Sequence, residues 1–103
     1  EHPVVEKFWA IFDYLVEIET DAQREERPLN NHRKPEFIAV SLPQFFERCR
    51  AHGQIPPTED DLRRHLKTSK GRKFDACKSV NAPGGKHFHC WVFTRPLSES
   101  SII

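Results

Sequence analysis

Cys77, His87, His89 and Cys90 fall inside the run KTSKGRKFDACKSVNAPGGKHFHCWVF, residues 67–93, among lysines and arginines. Side chains of these types support three chemistries: metal ligation, thiol redox exchange, and cationic contact with a polyanion. The spacing Cys-x9-His-x-His-Cys lacks the two close ligand pairs that structural zinc gathers, such as Cys-x2-4-Cys with His-x3-5-His. On a strand, His89 and Cys90 point to opposite faces, and His87 with His89 supply only two ligands on one face. The pattern therefore predicts no metal site and no cofactor.

The redox reading depends on where a hairpin would turn. If Ala82 and Gly85 close it, Cys77 stands about opposite Cys90 and the thiols approach. Three cysteines at irregular spacing do not make a secreted disulfide framework, and a reducing, cytoplasmic setting is expected. Cys77, Cys90 and Cys49 are then read as small buried apolar residues. No nucleophilic triad, phosphate-cradling glycine loop or pair of catalytic carboxylates is visible, so no catalytic residue is assigned.

Charge favours the third chemistry. Residues 1–61 hold 13 Asp or Glu and 7 Lys or Arg, a net −6, whereas residues 62–103 hold 2 and 9, a net +7. A chain of net charge +1 with one strongly basic third reads as a scaffold carrying a polyanion-binding surface. The competing explanation is that the two halves neutralise each other.

The elements that must position these residues follow from periodicity. In 103 residues, 37% hydrophobic and 30% charged, there is room for one domain. PVVEKFWAIFDYLVEIET, residues 3–20, has the apolar spacing of a long amphipathic helix with Pro3 in its first turn. DAQREERPLNNHRKPE, residues 21–36, is polar with two prolines and reads as a connecting loop. FIAV, 37–40, is a short strand. Ser41 is a candidate N-cap for a helix at about 43–52, with Leu42, Phe45, Phe46 and Cys49 as its buried stripe and Gly53 as its stop. Thr58 followed by Glu59, Asp60 and Asp61 opens a third helix, 59–68, burying Leu62 and Leu66.

Two strands, 73–80 and 86–94, flank NAPGG. Pro83-Gly84 favours a type II turn, which predicts a longer or irregular connection. Phe74, Ala76, Trp91 and Phe93 are expected on one face of the hairpin, packed against helices, and the residues after Arg95 form a flexible tail.

Helix, strand, helix, helix, strand, strand is the order of an α+β winged helix-turn-helix with a three-stranded antiparallel sheet, filling residues 1–95. Arg63, Arg64 and Lys67 on the third helix are the candidates for reading base edges. Lys67, Ser69, Lys70, Arg72 and Lys73 follow toward the wing, and Lys78 and Lys86 sit on it, all as candidate phosphate contacts. Duplex DNA is the expected partner in preference to a single strand. No apolar run reaches the roughly 18–20 residues that span a bilayer, so no membrane partner is expected.

The stretches LNNHRKPEFIAVSL, DLRRHLKTSKGRKF, KSVN and HCWVF resemble the C-terminal domain of primase–helicase-like replication proteins of phages and integrated mobile elements. The resemblance covers about residues 29–93. It implies an accessory DNA-binding domain that engages DNA or helps load its parent at an origin, with catalysis in primase and helicase domains elsewhere. The chain opens Glu-His-Pro and contains no Met, which is expected of a piece cut from a longer protein. The short APGG loop departs from a full wing, which bears on groove contact. Two other functions fit the same elements: a winged-helix module that docks other domains of its parent without touching DNA, and a small metal-binding domain.

Overall fold

Pro3–Glu17 form α1, whose Val5, Phe8, Trp9, Ile11, Phe12 and Leu15 are buried on one broad face. His2 caps it, its Nδ1 accepting the Val4 N–H at 3.1 Å. The computed structural model describes residues 1–81 and 85–96. The chain continues as α2 (Asp21–Glu26), β1 (Phe37–Val40), α3 (Leu42–Ala51), α4 (Glu59–His65), a 3-10 turn (Leu66–Thr68), β2 (Lys73–Asn81) and β3 (His87–Thr94). The fold is α+β, with four α-helices and a three-stranded antiparallel sheet in the order β1-β3-β2 among the described residues. No helix there is long and apolar enough to cross a membrane.

Helix α1 stops three residues short of the expected 20. Thr20 starts a second helix in its place: its Oγ1 accepts the Gln23 N–H and Gln23 Oε1 accepts the Thr20 N–H, a reciprocal capping box. Helix α2 buries no residue, so it carries no apolar periodicity, and the polar segment read as loop is in part helical. Ser41 occupies the N-cap position of α3 but makes no side-chain cap bond. Thr58 caps α4 as expected, its Oγ1 accepting from the Asp61 N–H at 3.2 Å. Gly53, at φ +68°, stops α3 in the left-handed region that an L side chain avoids.

One aromatic core joins the helices to the sheet. Trp9 meets Phe8, Phe12 and Phe93 edge-on, with ring centroids 4.8, 5.3 and 4.8 Å apart. Leu62 and Leu66 complete it, both fully buried. Phe74, Trp91 and Phe93 face this core, but Ala76 does not. The register runs Phe74 against Phe93 and then Ala76 against Val92, leaving Asp75 as an unpaired extra residue. That bulge breaks the two-residue alternation, sending Ala76 to the outer face with Val92 and Cys77 to the helix-side face with Trp91.

The outer face has a smaller core of Ala39, Val80, Cys90 and Val92, with Phe37 and Phe88 packed against it. The segment after α2 lies along it and along β1. The Arg27 guanidinium sits 3.3 Å over the Phe88 ring, the His32 and Phe37 rings are 4.9 Å apart, and the Asn31 N–H donates to Ala39 O. Asn30 Oδ1 accepts the Ala39 N–H, so this segment also satisfies the free edge of β1.

Candidate nucleic-acid interface

The nine basic or polar candidates separate into four environments. Arg63 and Arg64 are exposed on α4 and reach back one turn to its acidic start, Arg63 Nε to Glu59 at 3.5 Å and Arg64 Nη2 to Asp60 at 3.7 Å. Such exposed i,i+4 pairs contribute about 0.3–0.5 kcal/mol, small enough for a phosphate to take over the arginine. Lys67, Lys70 and Lys73 are exposed along the path from α4 into β2. Along the chain from α4 into β2 these five exposed cations succeed one another as a basic strip.

Beside the strip, a groove of about 390 Å³ opens between Arg63 of α4, Pro43 at the start of α3, and Cys77, His89 and Trp91 of the hairpin. Among the described residues its lining includes Arg27 and no carboxylate. Burial lowers the Arg27 guanidinium from its ordinary value, but it stays cationic. Next to the strip, the Glu1 carboxylate is held by two successive backbone donors, Lys70 N–H at 3.0 Å and Gly71 N–H at 3.2 Å. Consecutive amides directed at one anion are a geometry that also suits a phosphate oxygen.

Ser69 and Arg72 belong to a different environment. Ser69 is buried: its hydroxyl accepts the Trp9 indole N–H at 3.0 Å and donates to Arg72 O at 2.6 Å. Arg72 lies 4.7 Å over the Trp9 ring and pairs with Asp13 at 2.9 Å. Both fasten the turn after α4 to α1, which fixes where Lys70 and Lys73 emerge. The expectation that Ser69 is available at the surface is corrected by this burial.

Lys78 and Lys86 leave the strip altogether. Lys78 pairs across the sheet with buried Cys90, so its side chain rises from the outer face, with Asp75 at 3.7 Å. Lys86 borders a groove of about 460 Å³ with Arg27, Arg48, Glu26 and Glu47, at the ends of α2 and α3.

The thiols also differ from expectation. Cys77 stands opposite Trp91, not Cys90, and is exposed, while Cys49 and Cys90 are buried. Burial pushes the thiols of Cys49 and Cys90 up to about 11, which keeps them protonated and inert. His89 is exposed and Cys90 is turned into the outer-face core, on opposite sides of β3. Among the described residues, no group of three or more His, Cys, Asp or Glu is placed to hold a metal ion.

A buried polar network went unread in the sequence. Glu19 Oε2 accepts the Leu29 N–H at 2.8 Å and Arg48 Nη1 at 3.0 Å. Arg48 Nη2 and Gln44 Nε2 both donate to Arg27 O, and Asn31 Nδ2 reaches Leu29 O, Ala39 O and Gln44 Oε1. The network locks the outer-face segment to α3. No protein-family model matches the chain, and no curated protein or solved structure matches it.

Proposed function

We propose that this chain is a non-enzymatic, winged-helix DNA-binding domain, an accessory C-terminal module of a cytoplasmic primase–helicase-like replication protein from a phage or integrated mobile element. The observation that carries the reading is the run of five exposed cations, Arg63, Arg64, Lys67, Lys70 and Lys73, the first of which lines a groove with no carboxylate among its described residues. The order α1-β1-α3-α4-β2-β3, with β3 central, supports the winged-helix assignment, α2 being an insertion. In this reading α4 lies toward the major groove of a duplex, and the strip contacts the phosphates that flank it. The carboxylate of Glu1 stands where a phosphate oxygen docks on the Lys70 and Gly71 amides.

Fluorescence anisotropy on duplex and single-stranded DNA, at low and at physiological salt, tests the reading. Binding in the micromolar range, about 10⁻⁶–10⁻⁴ M without a specific site, is expected, with the duplex preferred. Lys70→Glu with Lys73→Glu is expected to weaken it at least tenfold. No binding at low salt, or indifference to that double substitution, removes the proposal. The second reading is a module that docks other parts of its parent without touching DNA. Binding to the parent helicase together with no affinity for DNA is its signature.

A further inference from the structure

The sequence suggests one basic surface shared by Lys78 and the cations of α4, yet Lys78 rises from the outer face of the sheet. On the outer face it meets a second basic segment, residues 32–34. A groove of about 330 Å³ lies between His32, Arg33 and Lys34 on one side and residues 78–81 of β2 on the other. Among the described residues its lining holds no carboxylate; Asp75 lies 3.7 Å from the Lys78 ammonium, and Glu36 acts on His32 across the loop.

The imidazole of His32 is oriented for a task. Its Nδ1 accepts the Lys34 N–H at 3.1 Å, so in the neutral ring the proton resides on Nε2, which is a donor. Its ring plane is supported by Phe37 at 4.9 Å. Burial, then Lys78, then Lys34 lower its pKa below the ordinary value, against the upward pull of Glu36. Two cations from segments far apart in sequence thus converge on one imidazole.

We infer that this outer-face groove is a second phosphate-binding site, in which Lys34, Lys78 and His32 Nε2–H hold a phosphate of a nucleic-acid backbone. Lysine ammonium groups and an imidazole donor match a compact anion with several oxygens. The source of the phosphate rests on the nucleic-acid reading above; the site itself does not. Occupied together with the α4 strip, it places nucleic acid on both faces of the hairpin.

The test uses the 103-residue chain and NMR of the His32 ring, with inorganic phosphate and then duplex DNA as probes. Bound phosphate adds negative charge beside the ring, so the His32 pKa is expected to rise with either probe. Lys34→Glu with Lys78→Glu is expected to abolish the rise with phosphate and to weaken duplex binding about tenfold at low salt. If phosphate moves His32 but DNA neither binds nor moves it, the site stands and the DNA-binding proposal falls. If DNA binding depends on Lys70 and Lys73 while His32 is indifferent to both probes, the outer-face site is overturned and the α4 interface survives. The wild-type titration alone decides the site should the double variant fail to fold.

Discussion

The three cysteines illustrate how much one residue of register matters. Cys77 and Cys90 look like cross-strand partners if Ala82 and Gly85 close the hairpin, but the pairing that runs unbroken from Asn81 and His87 is offset by one residue and puts Cys77 against Trp91. Native labelling with a thiol reagent should therefore modify Cys77 rapidly, and Cys49 and Cys90 only after denaturant is added. The buried pair also sets a pH dependence. Their thiols are raised from 9.0 to about 11, so between those values the folded state holds protons that the unfolded chain has released. Folding stability then falls as pH rises, since the unfolded state binds fewer protons in that window. The stabilisation is complete below pH 9 and lost as pH passes about 11. Urea midpoints measured from pH 8 to 11 should fall, and Cys90→Ala should flatten the decline.

At the scale of elements, what the sequence disclosed tracks apolar content. Helices α1, α3 and α4 and all three strands bury apolar residues, and their positions are readable in the sequence to within a few residues. Helix α2 is not, because it buries nothing; only the Thr20/Gln23 capping box marks it, a weak signal in a segment dominated by charge. A helix held by a cap and local pairs rather than by packing should melt locally. Thr20→Ala removes the Oγ1 acceptor and should cost about 1 kcal/mol within α2. Amide hydrogen exchange at Gln23 and Arg24 is expected to quicken, with the global urea midpoint nearly unchanged. A large shift in that midpoint would mean that α2 carries tertiary load through Glu19 and Arg48 beyond what its exposed residues indicate.

For the whole molecule, the split between an acidic first part and a basic last part becomes a spatial arrangement only after folding. Five cations line the α4 strip, and if each neutralises one phosphate, log K against log salt on duplex DNA should have a slope of about −4 to −5. Glu1→Gln removes the internal carboxylate from the Lys70 and Gly71 amides and should tighten binding about threefold at low salt, as a vacated anion position becomes available. Isothermal titration at three salt concentrations checks both. A slope near zero, or weaker binding by the Glu1 variant, would separate the strip from any phosphate contact.

Hydrophobic periodicity and capping residues determined the α+β class, the order of the principal elements and which end of the chain is basic, because these depend on neighbours close in sequence. Which cations share a surface was decided by tertiary structure alone. The bulge at Asp75 altered which β2 residues share a face, Trp9 drew Ser69 and Arg72 into structural roles, and the buried Glu19–Arg48–Gln44–Asn31 network laid residues 27–34 over the outer sheet face. Each of these acts between residues at least ten positions apart or through a single extra residue in a strand. Neither kind of information is carried by local spacing.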